Sequence, residues 1–221
     1  MAEQEFFYLG TIVTNTIEGS THEFLVDLDP ICPNMTNAEF RASARRLIGW
    51  ANELLRRRIN DLRRNDSKTK ERMQYWFGKS DEATRAYLLA GFLKVSQVMS
   101  ELKPTDLIRS GSGEDRALGC APNVANLDGE AAHVCAPNIE HRRIAISLNF
   151  CNTLRDFKQF SDFRVSTLIH EVTHFVDTFG SGDHMYTISP PLALWGQRSA
   201  DLALQNADSL AGFVVYGEEI A

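Results

Sequence analysis

The segment STLIHEVTHFVDTFGSGDHMY, Ser166 to Tyr186, constrains this chain more than any other. It sets His170 and His174 four residues apart around Glu171. On an α-helix that spacing puts two imidazoles on one face, one turn apart. Two ring nitrogens so placed can reach one zinc ion at about 2.0–2.1 Å, and a glutamate beside them can take a proton from a water activated there. Two histidines buried side by side without a metal would instead need other polar partners. The segment is expected to be a helix with one face in a core. Leu168, Ile169, Val172, Val176 and Phe179 supply the apolar faces, and the expected helix runs from about Ser161 to Phe179.

A catalytic zinc needs a third protein ligand and an open fourth position. The pattern HExxHxxGxxH fails, because position 177 is Asp and position 180 is Gly. Glu218 and Glu219 are the only downstream glutamates, a poor basis for a ligand on a following helix. Asp177 would lie on the ligand stripe one turn further along, too far for its short side chain. Gly180-Ser181-Gly182 permits a reversal, since glycine tolerates positive φ. Asp183 is then the first carboxylate returned toward the histidines, with His184 as its competitor.

With 221 residues, 43% hydrophobic and 24% charged, the chain is long enough for one sizeable core with a small appendage. No apolar run approaches the length of a membrane span. A net charge of −6 argues against nucleic acid as a partner, since that binding rests on neutralising phosphates. The basic run RRRINDLRR, Arg56 to Arg64, sits in a helical pattern and is expected to be a solvated face. Cys32, Cys120, Cys135 and Cys151 form no CxxC pair, so a thiolate zinc knuckle is not expected. Two disulfides are expected if the protein works outside a reducing cytosol, with free core thiols as the alternative. The opening MAEQEFFYLG lacks the features of a secretory signal, so the chain is expected either to follow a removed signal or to be exported without one.

Residues 1–36 read as short strands and loops, with EFFYLGTIVTNTI and THEFLVDL rich in β-formers and DPICPN as a proline-marked boundary. From Thr36 to Lys103 the chain turns helical. Asn37 is placed to cap a helix that buries Phe40, Ala44, Leu47, Ile48, Ala51 and Leu55. Asp81 opens another, with Tyr87, Leu88, Phe92, Leu93, Val95 and Val98 on its buried side and Pro104 beyond its end. Residues 105–140 are turn-rich. In RRIAISLNF, Ile144, Ile146, Leu148 and Phe150 alternate with Ala145, Ser147 and Asn149, the pattern of a half-buried strand. A last helix is expected from Arg198 to Val215.

His170-Glu171-Val172-Thr173-His174 followed by GSGDHMY resembles the aspzincin signature, HExxH followed by GTxDxxYG. That family of metallopeptidases includes deuterolysin and the fungal peptidyl-Lys metalloendopeptidases. MQYWFG (Met73 to Gly78) is similar to its WFG segment, and IAISLNFC to the strand and cysteine before its zinc helix. NADSLAGF (Asn206 to Phe213) is similar to its NAD-containing helix, so the likeness spans roughly residues 37–215. It implies a zinc-dependent endopeptidase acting on protein or peptide, secreted or extracellular and monomeric. The implied Zn2+ ligands are His170, His174 and Asp183, with Glu171 as general base and Tyr186 steadying the oxyanion. Asp208 matches an aspartate that in Lys-specific members helps receive a basic side chain; an ordinary helix charge or an orienting partner of the site are its alternative roles. The implied fold is a zincin-like α+β domain, mainly helical, with a small antiparallel sheet and the zinc helix at the cleft floor.

The match has departures. Ser181 stands for the family threonine, Thr187 for the final glycine, and Ala211 for a glutamate of the Lys-specific members, which puts strict lysine preference in doubt. Residues 1–36 have no counterpart, so the expected division is an extension over 1–36 and a metallopeptidase domain over 37–221. The strand Arg143 to Phe150 is the expected sheet edge for an extended substrate. Cys135 and Cys151 flank it and could form one bridge, Cys32 and Cys120 the other, among the three connectivities that four cysteines permit. Two rival readings are an effector protease with a single protein target and a non-catalytic domain using zinc for stability. Glu171 argues against the second, because a structural site needs no base.

Overall fold

Helix α1, Asn37–Arg64, is the long central rod of the molecule. The computed structural model describes residues 6–13, 21–27, 29–120 and 129–220. Thr36, not Asn37, caps α1: its hydroxyl accepts from the Glu39 amide, and the Glu39 carboxylate accepts from the Thr36 amide at 2.9 Å. This reciprocal pair satisfies two amides that a bare helix end would leave open. Asn37 instead accepts from the Ile31 amide at 2.8 Å, tying the preceding loop to the helix. Phe40, Ala44, Leu47, Ile48, Ala51, Leu54, Leu55 and Leu62 form its buried stripe. Within the basic run, Arg58 departs from the expected solvated face. It is buried, and it donates to Asp61, Glu218 and the Val214 carbonyl. A guanidinium taken out of water requires such partners.

Helices α2 (Ser67–Phe77) and α3 (Glu82–Glu101) follow, capped by Asp66 and, as expected, by Asp81. Phe92 of α3 stacks on Phe213 and meets Phe179 edge-on. Tyr87 and Leu93 lie outside the expected buried face, at 40% and 42% exposure. Tyr87 sits at the flank, its hydroxyl donating to the Leu204 carbonyl and its ring against Phe179.

A small sheet packs beside these helices. Its strands are β3 (Leu107–Arg109), β4 (Ala132–Val134) and β5 (Ile144–Ile146), in the order β3-β5-β4. β3 runs parallel to β5 and β4 antiparallel, so the sheet is mixed. Helix α4 (Gly113–Ala117) follows β3, and α5 (Leu148–Asn152) follows β5. The strand expected over Arg143 to Phe150 thus stops at Ile146, and it is the centre of the sheet, not its edge. Ala145 is as buried as Ile144 and Ile146, so the alternation marks no solvent face. After Ser147 the chain coils into α5, leaving Leu148 61% exposed and Phe150 buried.

The remaining helices are α6 (Arg164–His174), α7 (Pro190–Arg198), α8 (Ala200–Ala203) and α9 (Ala207–Val215). The single helix expected from Arg198 to Val215 is broken because residues 205–207 spend their backbone groups on Gly182. The Gly182 amide donates to the Gln205 carbonyl, and the Ala207 amide to the Gly182 carbonyl. α9 is buried along its whole length and lies close against α2: a Cβ on Gly212 would stand 2.3 Å from the Trp76 ring. That approach admits only glycine.

Two disulfides are present, Cys32–Cys151 and Cys120–Cys135. The expected pairing across β5 is therefore corrected. β5 is buried on both faces, and α5 carries Cys151 to the loop before α1, where Cys32 lies. Cys135, just past β4, meets the chain leaving α4. Residues Phe6–Val13 (β1) and Thr21–Asp27 (β2) form an antiparallel two-stranded sheet of their own, as their β-forming composition anticipates.

Candidate metal centre

The helix carrying His170 and His174 ends at His174 itself, five residues short of expectation. Its last carbonyls find partners in the turn that follows. Thr178 donates its hydroxyl to the Val172 carbonyl at 2.8 Å, and the Ser181 amide donates to the Thr173 carbonyl at 3.1 Å. With these acceptors satisfied by other than a further helical turn, the chain is free to reverse. Gly180 takes a left-handed φ of 58°, and the chain returns beside α6. Val176, expected on an apolar helix face, is 60% exposed, and Asp177 points away to Arg142 at 2.6 Å.

The reversal delivers Asp183 to the two histidines. His170 Nε2 and His174 Nε2 are 3.0 Å apart, and Asp183 Oδ1 lies 3.3 Å from the first and 3.5 Å from the second. Donor atoms held about 2.0–2.1 Å from one tetrahedral ion stand about 3.3 Å apart, so this triangle has the size and the N, N, O chemistry that zinc takes. Among the described residues it is the group of histidine and acidic side chains gathered closely enough to hold a metal ion. His184, the competitor, is outside it; its amide donates to Asn206.

Each imidazole is turned by a bond at its other nitrogen. His174 Nδ1 lies 2.9 Å from the Ser181 carbonyl, which can only accept. His170 Nδ1 lies 2.6 Å from Asp208 Oδ1. A proton on each Nδ1 satisfies these two acceptors, and the Nε2 atoms face the centre of the triangle, as a metal bound there would require. Asp208 Oδ2 accepts from the Thr187 amide at 2.6 Å, so both oxygens of this side chain are engaged. Asn206, fully buried, was not singled out by sequence reasoning. Its carbonyl oxygen accepts from the amides of His184 and Met185, and its amide donates to the Met185 carbonyl at 2.9 Å. Asn206 and Asp208, at the start of α9, thus grip the Asp183 loop on either side. The NAD triplet was the sequence signal for both.

Thr187, at the position where the family motif has glycine, carries a φ of 74°, in the left-handed region. A β-branched residue is strained there, at a cost of order 1–3 kcal/mol. Thr187→Gly is expected to leave stability unchanged or raise it by about 1 kcal/mol, the strain relief exceeding the entropy that glycine adds to the unfolded chain. A urea titration showing a clear loss would contradict this. If the triangle holds zinc, Asp208→Asn should lower zinc affinity by about 10–100-fold, the usual effect of removing a ligand's orienting partner. Competition against a fluorescent chelator measures it, and unchanged affinity would show that Asp208 does not orient His170.

Glu171 is buried, with its Oε1 3.9 Å from His170 Nε2, close to the triangle without belonging to it. Burial pushes its carboxyl upward, with His170 and His174 pulling the other way. For Asp183, burial raises and the neighbouring imidazoles lower, and the net displacement is downward. Burial and the Asp183 carboxylate push the Tyr186 phenol up to about 12. Asp162, facing Asp208, is raised to about 6 by burial and by that carboxylate, while the Ile188 amide donates to it at 2.8 Å.

No curated protein sequence matches the chain. Among solved structures, a zinc peptidase from Grifola frondosa matches with a TM-score of 0.60 and 17% identity, over 81% of this chain and 96% of its own. That likeness shows a shared fold. The model of the aspzincin M35 family, described as lysine-specific metallo-endopeptidase, matches residues 62–215, which hold α6, the Asp183 loop and α9. On that match the chain belongs to the aspzincin family of zinc metallopeptidases, hydrolases of peptide bonds.

Proposed function

We propose that His170, His174 and Asp183 hold zinc and that Glu171 serves as general base in endopeptidase cleavage. The observation that carries this reading is the triangle of 3.0, 3.3 and 3.5 Å with a buried carboxylate alongside. Zinc, when bound, supplies Lewis acidity and makes water a nucleophile near neutral pH. Glu171 receives the proton and passes it to the leaving amine. Its burial favours proton uptake, and its position beside His170 keeps the transfer short. Tyr186 is half exposed and remains a phenol at physiological pH, so it can donate a hydrogen bond where negative charge develops on the scissile carbonyl oxygen.

β4 is the strand we assign to the extended substrate. It lies on the sheet's edge and packs against α6. The Ser147 amide donates to Ala131, and the antiparallel register then gives His133 and Ala145 the next bonded pair. The backbone groups of Ala132 and Val134 face away from β5, on the side where a peptide would pair. Asp208, with both oxygens engaged, is read as the partner that orients His170, and a preference broader than lysine follows from this together with Ala211. Residues 37–221 are read as the catalytic unit, a monomer, and 1–36 as an extension fastened to it by Cys32–Cys151. Disulfides of this kind suit an oxidising compartment, and no helix among the described residues is long and apolar enough to cross a membrane, in keeping with secretion. The strand pair β1–β2 lies outside the family match, and a single-target effector could use such an added surface to recognise its substrate.

The test is cleavage of a peptide library, with cut sites read by mass spectrometry. Many cuts that vanish with a chelator and return with zinc would support the endopeptidase. Cutting confined to one folded protein would favour the effector, and no cutting with zinc bound would overturn both.

A further inference from the structure

β4 is three residues long and, among the described residues, pairs with β5 alone, so its ladder fixes it weakly. Ala132 and Val134 turn to the same side as Ile144 and Ile146, toward the helical core. His133 faces the other way, and both of its ring nitrogens meet carboxylates. Nδ1 lies 2.6 Å from Glu130 Oε1, on the approach to the strand. Nε2 lies 3.0 Å from Asp115 Oδ1, on α4. A neutral imidazole has one N–H and would turn a lone pair on one of these oxygens; only the imidazolium donates to both.

The carboxylates are themselves anchored. Asp115 is buried, and its Oδ2 accepts from the Gly111 amide at 2.8 Å. The Glu130 carbonyl accepts from the Ser147 hydroxyl and from Asn149 Nδ2. One side chain therefore joins the segment entering β4, the strand itself and α4, which follows the opposite edge strand. None of these residues is used by the chemistry at the triangle.

We propose that His133, clamped between Glu130 and Asp115, is a positioning residue that holds the β4 edge where an extended peptide can pair with it and reach the metal centre. This rests on the reading of β4 as the peptide-facing strand. Glu130 and Asp115 hold the His133 imidazole up to about 9, with burial opposing them. The charged groups that bear on it are these two and, from α6, Glu171, which responds to its charge. The folded-state value stands above the ordinary one of about 6.5, so the clamp is complete below that pH and is lost as pH rises through about 9.

The experiment compares the zinc-loaded protein with its His133→Gln and Asp115→Asn variants, on an octapeptide and on a blocked dipeptide that cannot span the strand. Glutamine and asparagine keep hydrogen-bonding capacity and remove charge, so both variants should fold. The expected result is a KM for the octapeptide raised about tenfold, corresponding to one lost charge-assisted bond, with kcat and zinc content little changed and the dipeptide barely affected. The unmodified protein should show its octapeptide KM climbing through about pH 9, and His133→Gln should not. Octapeptide affinity is measured in parallel in the Glu171→Gln background. Binding that is tight and indifferent to His133→Gln and Asp115→Asn overturns this inference alone. No octapeptide binding at all overturns the endopeptidase reading and the inference with it.

Discussion

Glu171→Gln is expected to keep its zinc and its fold while losing about two to four orders of magnitude in kcat/KM, the range supplied by a positioned general acid–base group. The substitution preserves shape and removes the ability to accept a proton. Glu171 is only 4% exposed and lies outside the triangle of Nε2 and Oδ1 atoms, so the metal should not depend on it. The measurement pairs steady-state kinetics with zinc stoichiometry on the same preparation. A loss below about tenfold would remove Glu171 from the role of base. Loss of the metal would make it a ligand.

Removing the Cys32–Cys151 bridge should give the largest loss of stability. Its cysteines are 119 residues apart, against 15 for Cys120–Cys135. Chain entropy grows with the closed loop, giving about 3 kcal/mol for a loop of 15 residues and nearly 5 kcal/mol for one above 100. The Cys32→Ala, Cys151→Ala double variant should therefore unfold at lower urea than Cys120→Ala, Cys135→Ala. The bridge closes a loop that includes α1 to α4, and it fastens residue 32 to α5, the helix just before α6. Equal midpoints, or a reversed order, would show that strain or residual structure outweighs loop closure here.

The centre itself was legible because its residues are local. His170, Glu171 and His174 are fixed by helical spacing, and a glycine turn returns Asp183 within nine residues. The end of α6 was not legible, since nothing in VDTFG announces that Thr178 and Ser181 will take the carbonyls of Val172 and Thr173. The same kind of distant partner broke the expected last helix: Gly182 claims the backbone at Gln205 and Ala207, far along the chain. β5 misled because Ala145 is small enough to read as a surface residue, whereas the strand is covered on both faces and paired on both sides. The sheet edge moved to β4 for that reason, and the disulfide pairing moved with it. Asp208 shows the limit most clearly. Its type and place on α9 were plain, but only the structure shows its oxygens at His170 and Thr187.

The most direct measurement is zinc-edge anomalous diffraction from crystals of the zinc-loaded Glu171→Gln protein. The expected map shows one zinc, with His170 Nε2, His174 Nε2 and an Asp183 oxygen about 2.0–2.2 Å away and an open fourth position. Zinc held through His184 in place of Asp183, or a His170–His174 pair left without metal, would contradict it.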